Sequence, residues 1–177
     1  MIKRVKIGNK SYTLKANADT PRVYRDMFGR DIFIDIDTVI EEYGSADKSE
    51  EIPDAVRIAF IMAYQAGAAP SLLTEWVKSV NGEIPVTDFT LAVMELWRCN
   101  LATISTKTDN AEDDSGTADT VPLTTAKYLH NCIAVGIGLR DLEMLTLGMV
   151  VDIFRERNRD AEERSAIAAT QSDFDAF

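Results

Sequence analysis

The side chains with reactive potential are few. Cys99, Cys132 and a single histidine, His130, are the only thiols and imidazole in 177 residues. A structural zinc site takes four such donors, commonly as Cys-x-x-Cys pairs, and His130 and Cys132 at i, i+2 on a helix point to different sides. Core packing is the better-supported reading of both. A Cys/His nucleophilic pair meets in space and not in sequence order, so it stays open as an alternative, with no local motif in its favour. Asp35-Ile36-Asp37 matches the hard-ligand pairing used for Mg²⁺ or Mn²⁺. Two solvent-facing carboxylates in the first turn of a helix, favoured there by its dipole, explain it more simply. Gly136-Ile137-Gly138 lacks the third glycine and the preceding strand of a dinucleotide loop, and no Gly-Lys-Ser/Thr run occurs. The expectation is a protein that is not an enzyme, with no catalytic residue, no metal and no cofactor.

Composition narrows what such a chain binds. Apolar residues make up 46% and charged residues 27%, a globular balance with enough apolar surface for a core. No run approaches the roughly 18–20 apolar residues of a membrane span, and the opening Met1-Ile2-Lys3-Arg4-Val5 lacks the apolar stretch of a secretory signal. With two cysteines and no disulfide framework, a cytosolic protein is expected. The net charge of −10 disfavours nucleic acid and anionic membranes as partners.

The elements that must position any site are mostly helical. Residues 4–15 alternate apolar and polar on both sides of Gly8-Asn9, the pattern of a β-hairpin with one buried face. Thr20-Pro21 supplies a cap and a first-turn proline to a helix whose Val23, Tyr24, Met27 and Phe28 share a side, ended by Gly29. A second helix is expected from about Asp35, with Ile36, Val39 and Ile40 at helical spacing. After Pro53, Ile52, Val56, Ala59, Phe60 and Ala63 define an amphipathic helix ended by Gly67. Ser71 caps a helix over Leu72 to Val80, and Thr87 caps another striped by Phe89, Val93, Leu96 and Trp97.

The pattern breaks after Leu101. Residues 102–123 have no apolar periodicity and hold five acidic residues against one basic, the composition of a solvated linker. The division expected is a module over 1–101, a flexible linker over 102–123 and a second module over 124–177. In the second, Thr124 or Thr125 caps a helix through Tyr128, Leu129, Ile133 and Val135 that stops at Gly136 or Gly138. A short helix over Leu139 to Leu145 follows, then a long one from Thr146 with Leu147, Val150, Val151 and Phe154 on one side. Beyond Phe154 it is almost wholly charged, so it should project into solvent, held by pairs such as Asp160 with Arg164. The fold class is therefore mainly α, with an N-terminal hairpin packed on helices.

Aromatic residues are the candidate anchors for a binding protein. Trp76 and Trp97 lie on apolar stripes, where core packing is the usual role and partial exposure would make an anchor. Phe174 and Phe177 sit in an acidic, unpatterned tail, either idle or docking on a partner.

In order along the chain, the hairpin, Tyr24-Arg25-Asp26-Met27-Phe28-Gly29-Arg30-Asp31, Ile58-Ala59-Phe60-Ile61-Met62-Ala63, Glu75-Trp76 and Glu95-Leu96-Trp97-Arg98-Cys99-Asn100-Leu101 resemble the tail assembly chaperones of long-tailed phages (siphophages) and prophages. Gly136-Ile137-Gly138-Leu139-Arg140-Asp141-Leu142-Glu143-Met144-Leu145-Thr146-Leu147-Gly148 resembles the helix-turn-helix of the C-terminal extension in the long form of that family. The resemblance implies that residues 1–101 coat the tape measure protein and keep it soluble, while 124–177 recruit the major tail tube protein to it. It places the chain in the host bacterial cytoplasm during virion morphogenesis and absent from the mature virion. Self-assembly of the first module into a ring or helical polymer is compatible with that role. Partner contact is then expected at Leu139, Leu142 and Leu145, for which packing between helices is an equal alternative, at Phe154, and at Phe174 and Phe177. Two other readings stand beside it: a head-tail connector or minor tail protein retained in the virion, and a small enzyme using His130, Cys132 or Asp35 and Asp37.

Overall fold

A computed structural model describes residues 1–7, 10–41, 53–79, 86–103 and 123–159. The fold is mainly helical, with a two-stranded antiparallel hairpin packed on helices. Strands β1 (Ile2–Ile7) and β2 (Lys10–Lys15) pair in the register Lys3↔Leu14 and Val5↔Tyr12. The period of two sends Tyr12 and Leu14 into the core with Val5 against them, and Arg4 and Lys6 to solvent.

Helix α1 (Thr20–Phe28) is followed by Gly29 at φ 65°, whose N–H returns to the Arg25 carbonyl at 2.8 Å, the left-handed stop a glycine adopts without strain. Its start differs from the expectation. Asp19, not Thr20, holds the cap position, and its side chain does not cap. Arg22 takes that carboxylate at 2.6 and 2.7 Å, while the Thr20 hydroxyl donates to Gln65 at 2.8 Å. Helix α2 (Ile32–Glu41) begins three residues before the expected Asp35. The Asp31 carboxylate accepts from the Phe33 N–H at 3.1 Å and its carbonyl from the Asp35 N–H at 3.0 Å, which starts the helix early.

Helix α3 (Asp54–Gln65) is the centre of the fold and departs furthest from its expected amphipathic character. Ala55, Val56 and every residue from Ile58 to Ala63 are buried, because α1, α2, β2, α4 (Leu73–Ser79) and α5 (Val86–Leu101) all pack on it. A helix apolar all round belongs inside. Trp76 closes this core among Phe89, Phe60 and Tyr12, with ring centroids 5.1, 5.6 and 5.9 Å away. Both tryptophans are buried, so neither serves as a surface anchor. Cutting a buried ring of this kind to Ala costs about 3–5 kcal/mol, against a total stability of about 5–15.

Beyond the expected linker, whose residues 104–122 lie outside the described ones, Thr124 caps α6 (Thr125–Ala134), its side chain accepting from the Lys127 N–H at 3.3 Å. Gly136 follows at φ 88°. The expected short helix is a single 3-10 turn, Asp141–Met144. Helix α7 runs from 147 to 159, the last described residue. The Thr146 hydroxyl caps it by accepting from the Met149 N–H at 3.2 Å. Its residues 155–159 are exposed, as expected of the charged half; Asp160 and Arg164 lie outside the described residues. No described helix is long and apolar enough to cross a membrane.

The break in sequence is not a break in packing. Tyr128, Cys132, Leu142, Leu147 and Val150 belong to the same buried cluster as Leu14, Tyr24 and Phe60. The segment 123–159 is docked onto the first module rather than standing apart from it.

Candidate functional site

The residues singled out for chemistry are not brought together. Asp35 is buried, not solvent-facing: Arg30 holds it bidentately at 2.7 Å from both Nε and Nη2, and the Tyr24 hydroxyl donates to it at 2.5 Å. Asp37, two residues on, is exposed, so the two carboxylates diverge, and both Asp35 oxygens already accept hydrogen bonds. The Tyr24 hydroxyl is raised well above the ordinary tyrosine range, first by burial and then by the bond to Asp35. Cys132 is buried and its thiol is raised by that burial, which lowers its thiolate fraction. Core packing holds for Cys132 but not for His130, which lies two residues away on the other side of α6 and is exposed. Gly136 and Gly138 follow a helix, and Gly136 ends it.

What the fold does assemble is a seam of buried polar groups between the first module and 123–159. Asn17 donates to the Glu143 carbonyl at 3.0 Å, and its own carbonyl accepts from the Asn100 side chain at 3.2 Å. Asn100 accepts in turn from the Leu147 N–H at 3.3 Å. The Ala18 N–H donates to the Leu145 carbonyl at 2.8 Å, and the Tyr128 hydroxyl donates to the Ala18 carbonyl at 2.9 Å. Asp31 accepts from the Thr125 N–H at 2.7 Å and from its hydroxyl at 3.0 Å, so a side chain of the first module binds the N-terminus of α6. Buried polar groups left unpaired cost about 1–3 kcal/mol each, so this network fixes one docked arrangement. Beside it lies a polar depression of about 200 Å³ lined in part by Lys15, Asp19, Arg22 and Glu143, where Arg22 and Asp19 already satisfy each other.

The expected partner-contact residues separate by environment. Leu142 is fully buried, and Leu145 and Phe154 are partly buried against the core, so these three pack between elements. Leu139 is exposed. Phe174 and Phe177 lie outside the described residues.

Other apolar side chains face solvent instead. Met144 is 87% exposed and Ile133 60%, and Met149 and Ile153 are exposed one turn apart on α7. Arg157, a further turn along the same face, donates to the Ala134 carbonyl at the end of α6. The signal for the exposed Met149 and Ile153 was present: six of the eight residues from Leu147 to Phe154 are apolar, more than one buried stripe accommodates.

No protein-family model, curated protein or solved structure matches the chain.

Proposed function

We propose that this protein is a tail assembly chaperone of a long-tailed phage or prophage: a non-enzymatic adaptor that binds the tape measure protein, keeps it soluble and recruits tail tube protein. The observation that supports the reading, beside the resemblance in sequence, is the exposed apolar pair Met149 and Ile153, one turn apart on the docked segment's α7, with Ile133, Met144 and Leu139 also exposed on that segment. Contiguous exposed apolar side chains are a feature of surfaces that bind other proteins. On this reading 1–101 covers the apolar faces of the tape measure, and the outward face of 124–177 receives the tube protein. The chain acts in the host cytoplasm and is shed as the tube replaces it.

Co-expression of the chain with tape measure and tube proteins, followed by pull-down, tests this. Met149→Asp with Ile153→Asp is expected to lose tube protein while retaining soluble tape measure, with unchanged far-UV circular dichroism. Retention of tube protein by that variant would overturn the assignment of the surface. Mass spectrometry of purified virions is the second arm, and finding the chain there in structural amounts would replace the chaperone by a connector or minor tail protein.

A further inference from the structure

Residues 160–177 carry five acidic residues against one basic, with Phe174 and Phe177 set beside Asp173 and Asp175. The other end of the chain is the reverse: residues 1–18 hold five basic residues and no acidic one. The strand period gathers that charge on one face. With Tyr12 and Leu14 turned into the core, the outward side of the hairpin presents Ile2, 71% exposed, Arg4 and Lys6, both exposed, and Lys15 opposite Ile2. Arg4, Lys6 and Lys15 form no ion pair among the described residues, whereas Lys3, on the inward side, pairs with Glu95.

A cationic face with an exposed isoleucine calls for an acidic segment that also carries apolar side chains. Residues 104–122 are acidic but hold no aromatic residue, whereas Asp173-Phe174-Asp175-Ala176-Phe177 joins the two kinds. This segment is also within reach. Arg159 stands about 18 Å along α7 from Leu147; the Leu147 N–H bonds to Asn100, and Asn100 bonds to Asn17, two residues from Lys15. The chain from 159 to 174, extended, spans about 50 Å.

We infer that residues 160–177 dock on the outward face of the hairpin of the same chain, with Asp173 and Asp175 against Arg4, Lys6 and Lys15 and the phenylalanines against Ile2. Charge complementarity selects the face, and the apolar side chains supply the area removed from water. Tethering holds the tail near the hairpin at an effective concentration of about the millimolar range, so contacts too weak to hold a separate partner suffice. Docked, the tail occupies a basic face that would otherwise collect polyanions, and it must leave before any external partner uses that face. This inference is independent of the proposed function.

Carbodiimide coupling, which joins a lysine amine to a carboxylate in contact with it, tests this on the purified full chain, in an equal mixture of ¹⁵N-labelled and unlabelled protein. Mass spectrometry of the digest is expected to find Lys6 or Lys15 joined to Asp173 or Asp175 in single-isotope pairs, beside the Lys3–Glu95 link that serves as the control for a folded hairpin. Phe174→Ala with Phe177→Ala leaves every coupling group in place and is expected to cut the yield at least fivefold relative to that control. Exchanging the charges, with Lys6→Glu and Lys15→Glu beside Asp173→Lys and Asp175→Lys, is expected to restore the links in the opposite sense. The inference is overturned if the tail links are absent while the control forms, which would leave the face to an external polyanion. Mixed-isotope pairs would overturn it by making a second copy the occupant, links from Lys6 and Lys15 to residues 104–122 by making the linker the occupant, and an unchanged yield in the phenylalanine variant by showing that the aromatic residues do not anchor the tail.

Discussion

Asp35 shows how a single carboxylate is kept inside a core. Its three hydrogen bonds come from two residues of unequal exposure: Tyr24 is wholly buried, while the Arg30 side chain retains 43% exposure. Removing Asp35 frees Arg30 to hydrate and orphans only the tyrosine hydroxyl, whereas removing Arg30 leaves a buried carboxylate with one neutral donor. Breaking a fully buried pair costs about 3–5 kcal/mol, and the solvent reach of Arg30 lowers that. Arg30→Met is therefore expected to destabilise by about 2–4 kcal/mol and Asp35→Ala by about 1–3. Urea midpoints of the two variants check the order, and equal or reversed losses would mean that the carboxylate is not held as described. The same geometry parts the Asp-x-Asp motif, since Arg30 and Tyr24 bind the oxygens of Asp35 while Asp37 is exposed.

At the scale of elements, the docking of α7 depends on one glycine. A Cβ on Gly148 would stand 1.9 Å from the Ala102 carbonyl oxygen and 2.6 Å from its carbon. That is backbone at the end of α5, which cannot swing aside as a side chain does. Gly148→Ala is expected to cost about 3 kcal/mol, the upper end for overpacking, and to lift the start of α7 away from α5. Hydrogen exchange should then show lost protection at Leu147 and Val150 with the amides of α3 unchanged; a variant as protected as wild type would mean that α7 does not approach this closely. Elements with local signals were legible in the sequence, as Gly29, Thr124 and the Phe89–Val93–Leu96–Trp97 stripe show. The early start of α2 was less so, because its cap, Asp31, follows a glycine stop and precedes strand-like alternation. The burial of α3 on all sides depends on five other elements, which no window of its own sequence contains. Asn17 and Asn100 lie 83 residues apart, and a polar pair buried across such a separation leaves no local periodicity. The exposed Met149–Ile153 stripe was visible as an excess of apolar residues, but which residues were surplus depended on what α7 packs against.

For the whole molecule, the seam decides whether the chain behaves as one unit or two. Its core is continuous across the sequence break, yet the contacts that cross it include many hydrogen bonds, as in interfaces that come apart. Two tyrosines report on this. Tyr24 lies within the first module, and Tyr128 donates across the seam to Ala18. Burial pushes both hydroxyls above the ordinary range, with Asp35 adding to it for Tyr24 and Cys132 for Tyr128. Such groups contribute stability in full below the unfolded-state value of about 10 and lose it as pH rises further, because only the unfolded chain then releases the protons. Each raises the unfolding constant about tenfold per pH unit in that window, and the buried Cys132 thiol and Tyr12 hydroxyl, also raised by burial, add to the slope. The chain is expected to show a steep alkaline loss of stability, and Tyr128→Phe should lower the slope of log K against pH. Tyrosinate absorbance and far-UV circular dichroism followed together distinguish the two behaviours. If both tyrosines ionise only with the loss of helix, the seam and the first module open as a single cooperative unit. If Tyr128 ionises reversibly while the helical signal persists, the segment 123–159 undocks as a body and the cooperative unit ends at the seam.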